Sequence, residues 1–151
     1  MNAKPAGHDE EPLETLYDGP WLRMLRRGRW EYVERTTGDG MAVIVIAVTP
    51  EDNLLFVEQF RVPLGASTIE MPAGLVGDDH STDTLESAAG RELIEETGWA
   101  AQRLEVLLVG PTSAGLTSER IAFVRARGLT RVGAGGGVDN ENITVHEVPR
   151  D

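Results

Sequence analysis

Eight consecutive apolar residues, Met41-Ala-Val-Ile-Val-Ile-Ala-Val48, are mostly β-branched. Branching at Cβ stiffens χ1 and favours the pleated backbone over a helix. An unbroken apolar run of this length reads as a central strand covered on both faces, not one exposed on alternate residues. It is too short to cross a bilayer. Thr49-Pro-Glu-Asp-Asn53 supplies a turn, and Leu54 to Phe60 is expected to return as the second strand of a hairpin.

The remaining chain is punctuated by short extended stretches: Thr15 to Met24, Trp30 to Thr36, Ser67 to Met71, Leu104 to Val109, Arg120 to Arg127 and Ile143 to Val148. Residues 1–12 are polar, with Pro and Gly, and are expected to be a flexible tail. Leu129 to Val138 contains the run RVGAGGG and is predicted to be a mobile loop. Pro149 followed closely by Asp151 resembles the start of a helix more than an ending. A chain of 151 residues suits one domain, divided here into an N-terminal strand segment (13–37) and a core (40–151).

The net charge of −11 argues against coating a polyanion, although a metal ion can join an acidic site to a phosphate. With no cysteine, the chain has neither disulfides nor thiolate zinc sites, which fits a reducing cytoplasm. The opening residues lack the apolar stretch of a secretory signal. A soluble cytoplasmic protein is therefore expected.

One helix stands out, from Thr84 to about Thr97, with Asp83 and Glu86 spaced as a capping box and Gly98 as the stop. Leu85, Ala88, Ala89 and Leu93 form its apolar stripe. Glu92 and Glu96 fall inside that stripe, and Glu95 lies at its edge. Carboxylates on the buried side need a positive partner. Glu92 and Glu96 are one turn apart, so both can reach one divalent cation, and oxygen ligands without Cys or His suit Mg²⁺ or Mn²⁺. The competing reading is a solvated acidic face, with Arg91 and Glu95 paired at i,i+4.

Arg91-Glu92-Leu93-Ile94-Glu95-Glu96-Thr97-Gly98-Trp99 resembles the second half of the Nudix box. The first half departs: the family glutamate falls on Asp83, and its glycine falls on Gly77 by spacing but on Gly74 by the Pro72-Ala73-Gly74 lead-in, as if three residues were inserted. Gln59-Phe60-Arg61, Glu70-Met-Pro-Ala-Gly74 and Ser113-Ala-Gly-Leu-Thr-Ser-Glu119 are similar to the ADP-ribose pyrophosphatase branch. So are Trp30-Glu31-Tyr-Val-Glu-Arg35, whose counterpart swaps onto a partner subunit, and the late acidic loop Asp139-Asn-Glu-Asn-Ile143.

The resemblance implies an α/β fold, a Nudix α/β/α sandwich with a mixed β-sheet, preceded by an antiparallel segment used in homodimerisation. It also implies Mg²⁺-dependent cleavage of ADP-ribose to AMP and ribose 5-phosphate. Glu92, Glu96, Glu95, Glu141 and the carbonyl of Ala73 become the expected metal ligands, with Arg91 locking the carboxylates. Glu141 or Asp139 is the expected base, and Glu119 a weaker candidate. Trp30 would stack on adenine, Glu31 would contact the substrate, Arg35 and Arg61 would hold the phosphates, Glu70 either substrate or Arg61, and Gly115 and Leu116 would line the terminal ribose pocket. Trp30 in a dimer core, and arginines paired to Glu31 or Glu58, are the plainer alternatives; His146 is expected to be structural and His80 exposed. Two other functions stay open: hydrolysis of another nucleoside diphosphate sugar or a dinucleoside polyphosphate, and ADP-ribose sensing without cleavage. Neither nucleic acid nor membrane is an expected partner.

Overall fold

The computed structural model describes residues 11–38, 40–77, 82–138 and 141–151. Most of the tail expected over residues 1–12, together with His80 and the candidate base Asp139, lies outside the described residues.

The chain opens with an antiparallel three-stranded sheet of β1 (Leu13–Asp18), β2 (Leu22–Arg27) and β3 (Trp30–Arg35). The single strand expected from Thr15 to Met24 is thus two, broken where Gly19-Pro20 interrupts the ladder. β4 (Met41–Ala47) runs parallel to β9 (Arg120–Arg131) and antiparallel to β7 (Ala73–Leu75), and β8 (Trp99–Pro111) completes a mixed sheet in the order β7-β4-β9-β8. β5 (Asn53–Arg61), β6 (Ala66–Glu70) and β10 (Thr144–Pro149) form a second antiparallel sheet in the order β10-β5-β6.

The expected hairpin between the first two core strands is confined to its base. Val48 bridges Leu54, and the Asp52 backbone adopts a positive φ of 66°. From there β4 and β5 diverge into different sheets. The turn residues were legible; the divergence depends on what each strand meets later in the chain.

β4 also differs from expectation. Val43, Val45 and Ala47 are buried, while Ala42, Ile44 and Ile46 on the other face are only half-buried. The buried face packs on helix α1 (Leu85–Thr97) through Ala88, Ala89 and Leu93, joined by Ala122, Val124 and Ala126 of β9 and Leu55 of β5. Among the described residues α1 is the only α-helix, and it packs on one face of the mixed sheet in the α/β arrangement expected; on the other face Ile44, Ile46 and Phe123 keep partial exposure. No helix of the described residues is long and apolar enough to cross a membrane.

The cap of α1 sits one residue later than Asp83 and Glu86 predict. Thr84 is the N-cap and exchanges hydrogen bonds with Ser87. The two candidate boxes are interleaved by one residue, and the one that closes starts from the extended backbone of Thr84. Gly98 ends the helix at φ 74°, its N–H donating to the Ile94 carbonyl.

The RVGAGGG segment is pinned, contrary to the mobile loop expected. β9 continues to Arg131. Gly98 O accepts from the amides of Val132 and Gly133, Glu96 O from Gly136, and Glu95 O from Gly137. These bonds satisfy carbonyls that the last turn of a helix leaves open. Glycine is required by proximity: a Cβ on Gly135 would collide with the Thr97 backbone and stand 2.7 Å from Glu96 O. β10 ends at Pro149, and residues 150–151 are not helical.

Candidate active site

A cavity of about 520 Å³ opens beside α1, lined by Arg35, Gln59, Arg61, Ala73, Gly74, Arg91, Glu92, Glu95, Glu96, Glu119 and Glu141. Helix periodicity delivers Glu92, Glu95 and Glu96 to one wall, because residues three and four apart share a face. Strand β7 supplies the floor. The Ala73 N–H donates to Glu96 Oε2 at 2.9 Å. A Cβ on Gly74 would overlap the Glu92 carboxyl group, which identifies Gly74 as the glycine that admits the acid. Gly77, the alternative by spacing, serves a positive φ of 79° and has no such contact.

Glu96 is almost fully buried, and Glu92 is largely so. Burial pushes the Glu96 carboxyl up to about 8; the Ala73 N–H opposes this, and nearby Glu92 and Glu141 add to it. Burial likewise raises Glu92 to about 7, partly offset by Arg91 and reinforced by Glu95 and Glu141. Arg91 stands 2.9 Å from Glu92 and 3.2 Å from Glu95, donates to Leu75 O, and approaches Asp83 at 3.6 Å. Asp83, one methylene shorter than glutamate, therefore still reaches Arg91 while accepting a hydrogen bond from Ser87.

The expected convergence of Glu92, Glu95 and Glu96 on one point is not seen. Among the described residues no three acidic or histidine side chains are arranged to hold a metal ion. Like charges separate, Arg91 draws in Glu92 and Glu95, and Ala73 holds Glu96, so the acids line a common cavity instead. The donor set still fits a hard divalent cation: buried carboxylates whose charge is disfavoured by desolvation gain most from one.

Arg61 and Glu70 form a two-point fork, both bonds 2.8 Å, which lifts Arg61 and holds Glu70 below the usual carboxylate range. Of the two, only Arg61 lines the cavity, so Glu70 acts by fixing Arg61. Arg35 lines it too, bonded to Glu119 at 2.5 Å. The partners weighed for these arginines are engaged elsewhere: Glu31 binds Arg26 and Glu58 binds His146. Glu141 lines the cavity, with Oε2 accepting from the Val138 N–H at 3.0 Å.

Trp30, Glu31, Gly115 and Leu116 do not line this cavity. Trp30 lies over Gly115, where an added Cβ would meet its ring at 3.9 Å, and beside Arg29. Glu31 is an exposed partner of Arg26. Gln59, present in the Gln59-Phe60-Arg61 motif but without an expected role, also lines the cavity. It stands two residues before Arg61 on β5, and the two-residue period of a strand gives both the same face.

A NUDIX domain family model matches residues 38–143. The methanol dehydrogenase activator of Bacillus methanolicus is 39% identical over 104 residues, covering 68% of this chain and 54% of that protein. An ADP-ribose pyrophosphatase of Mycobacterium tuberculosis is 33% identical over 140 residues, 85% of this chain and 64% of its own. A GDP-mannose pyrophosphatase of Pectobacterium atrosepticum is 35% identical over 120 residues, with coverages of 74% and 60%. The chain thus spans less than two thirds of the length of each of these relatives. Among solved structures, an ADP compounds hydrolase superposes with a TM-score of 0.73 at 20% identity, over 91% of this chain and 76% of that one.

Proposed function

The chain belongs to the NUDIX family, and on that premise we propose that it hydrolyses the diphosphate bond of ADP-ribose with Mg²⁺, giving AMP and ribose 5-phosphate. One observation carries the reading: a single cavity combines the carboxylates of Glu92, Glu95, Glu96 and Glu141 with the guanidinium groups of Arg35 and Arg61. The arginines match phosphate oxygens, and the acids match the cation that a diphosphate brings with it. When bound, Mg²⁺ or Mn²⁺ supplies neutralisation of the diphosphate and acidification of water. Glu92 and Glu96, with Glu95, Glu141 and the Ala73 carbonyl as further donors, would hold it.

In the hydrolysis, water attacks one phosphorus, the P–O bond to the bridging oxygen breaks, and that oxygen leaves on the other phosphate. Arg61, braced by Glu70, and Arg35, braced by Glu119, orient the diphosphate. Arg91 keeps Glu92 and Glu95 in register. Glu141, which lines the cavity, is assigned to take the proton of the attacking water where it does not itself hold the metal, with Asp139 as the alternative base.

A second reading is hydrolysis of another nucleoside diphosphate sugar, favoured by the comparable identity of the GDP-mannose and ADP-ribose pyrophosphatases. Pure sensing is less favoured, because Glu92, Glu95, Glu96 and Glu141 all line the cavity. We also propose a homodimer built on the N-terminal sheet, in and beside which Leu13, Tyr17, Trp21, Leu22 and Trp30 are each exposed. Trp30 and Glu31 would then serve substrate through the paired arrangement.

The test incubates the protein with ADP-ribose, GDP-mannose and a dinucleoside polyphosphate, with and without Mg²⁺, and follows nucleoside monophosphate release. AMP from ADP-ribose only with Mg²⁺ is expected. Tight ADP-ribose binding with no turnover of any compound would establish the sensor. A monomeric mass by light scattering at micromolar concentration would remove the dimer.

A further inference from the structure

Strands β5 and β6 pair Val57 with Glu70, Gln59 with Thr68, and Arg61 with Ala66. Paired residues of an antiparallel ladder share a face, and so do residues two apart on one strand. Gln59, Arg61, Thr68 and Glu70 therefore project from the same face as the buried Leu55 and Val57. Along this ladder Arg61 and Glu70 stand four positions apart, Arg61 opposite Ala66 and Glu70 opposite Val57. At the rise of a strand that is about 13 Å. The two side chains close the gap only by lying toward each other along the sheet. They do meet, in the fork with both bonds 2.8 Å, and the pair midway beneath it is Gln59 and Thr68.

Thr68 thus underlies the fork. Its hydroxyl donates to Glu70 Oε1, the oxygen that also accepts from Arg61 Nε. The Gln59 carbonyl, at 3.4 Å, is the more distant acceptor for the single hydroxyl proton. Arg61 Nη2 donates to the other oxygen, Oε2. The fork so employs Nε and Nη2 and leaves Nη1 for a phosphate oxygen. Glu96 and Glu141 add their own attraction for Arg61, and a loosened guanidinium would follow it toward them. Thr68 itself does not line the cavity.

We propose that Thr68 is a positioning residue for substrate binding: its hydroxyl fixes the Glu70 carboxylate, which holds Arg61 extended along the cavity wall with Nη1 open to the diphosphate. The assignment rests on the diphosphate-hydrolase reading above and adds what sets the pose of its phosphate-binding arginine.

The test compares Thr68→Val, which keeps the shape and suits a strand, with Thr68→Ser, which keeps the hydroxyl. Thr68→Val is expected to raise KM for ADP-ribose on the order of tenfold with kcat within about twofold, and Thr68→Ser to stay within about twofold of wild type. On a Glu70→Ala background Thr68→Val should add little, because the hydroxyl acts through that carboxylate. The Arg61 Nε–H resonance, identified by its loss in Arg61→Lys, should be sharp in wild type and Thr68→Ser and broadened by exchange with water in Thr68→Val. Unchanged KM in Thr68→Val, a change confined to kcat, serine no better than valine, or additive losses in the double variant overturns the proposal while the hydrolase reading stands. If the wild-type protein turns over no nucleoside diphosphate, the hydrolase reading falls and takes the substrate role of Thr68 with it; an Arg61 resonance unchanged in Thr68→Val overturns the clamp itself.

Discussion

Gly74 and Glu92 occupy space that no larger pair could share: a Cβ at position 74 would overlap the Glu92 carboxyl group. Gly74→Ala must therefore move either the β7 backbone or the acid. Strand β7 is held by its ladder to β4, so the acid is the part that yields. Displacing a catalytic ligand by an ångström costs about 10²-fold in rate. The expected result is a loss of that order in kcat/KM with thermal stability nearly retained, checked by initial rates beside a melting curve.

The Arg35–Glu119 pair ties the end of β3 to the catalytic cavity. Glu119→Gln keeps the shape and removes the charge that steadies Arg35. If Arg35 grips substrate phosphate, KM should rise about tenfold with a smaller change in kcat. A change confined to kcat would instead place Glu119 in the proton transfer step.

Glu92 and Glu96 make stability depend on pH in an uncommon direction. Their folded pKa values, about 7 and about 8, stand above the ordinary 4.5. Between those limits the folded chain holds more protons than the unfolded one, so stability falls as pH rises. Below about 4.5 both states are protonated, and above about 8 both are ionised, so the contribution is flat at either end. In chelator, the melting temperature of Glu96→Gln relative to wild type should climb steadily from pH 5 to pH 8. A difference that stays constant across that range would contradict the assignment.

Arg91 touches Glu92, Glu95, Asp83 and the Leu75 carbonyl from one guanidinium group. Lysine carries the charge but not the fork. Arg91→Lys should cost ~10–100-fold in activity, the range for a residue that supports ligands without being one. The Mg²⁺ concentration for half-maximal rate should rise with it, which a simple loss of folding would not produce.

Much of this was legible because α1 announces itself. A 3.6-residue period, a Gly stop and acids inside the apolar stripe are local signals, and burial of Glu96 confirmed that the stripe includes it. What failed was whatever depends on distant partners. An apolar run such as Met41 to Val48 cannot say how well each of its faces will be covered. Nor does the sequence show that Trp30 lies over Gly115, or that Leu116 O accepts from the Val33 N–H, outside the cavity's lining. Glycine-rich composition misled for another reason. Glycines that loosen a linker are chemically identical to glycines that let backbones touch, and Gly135 is of the second kind.

The bonds from the Gly136 and Gly137 amides to the Glu96 and Glu95 carbonyls have a further consequence. They join the loop leading to Glu141 to the last turn of α1, so acids at both ends of the cavity share one cooperative unit of local opening. Fraying the helix end releases the loop, and pulling the loop away uncaps the helix. Such a molecule has no half-assembled form in which one end works without the other. Amide exchange at Gly136 and Gly137 should accordingly rise and fall with that of the last turn of the helix, so that damage to either is felt as an all-or-none loss.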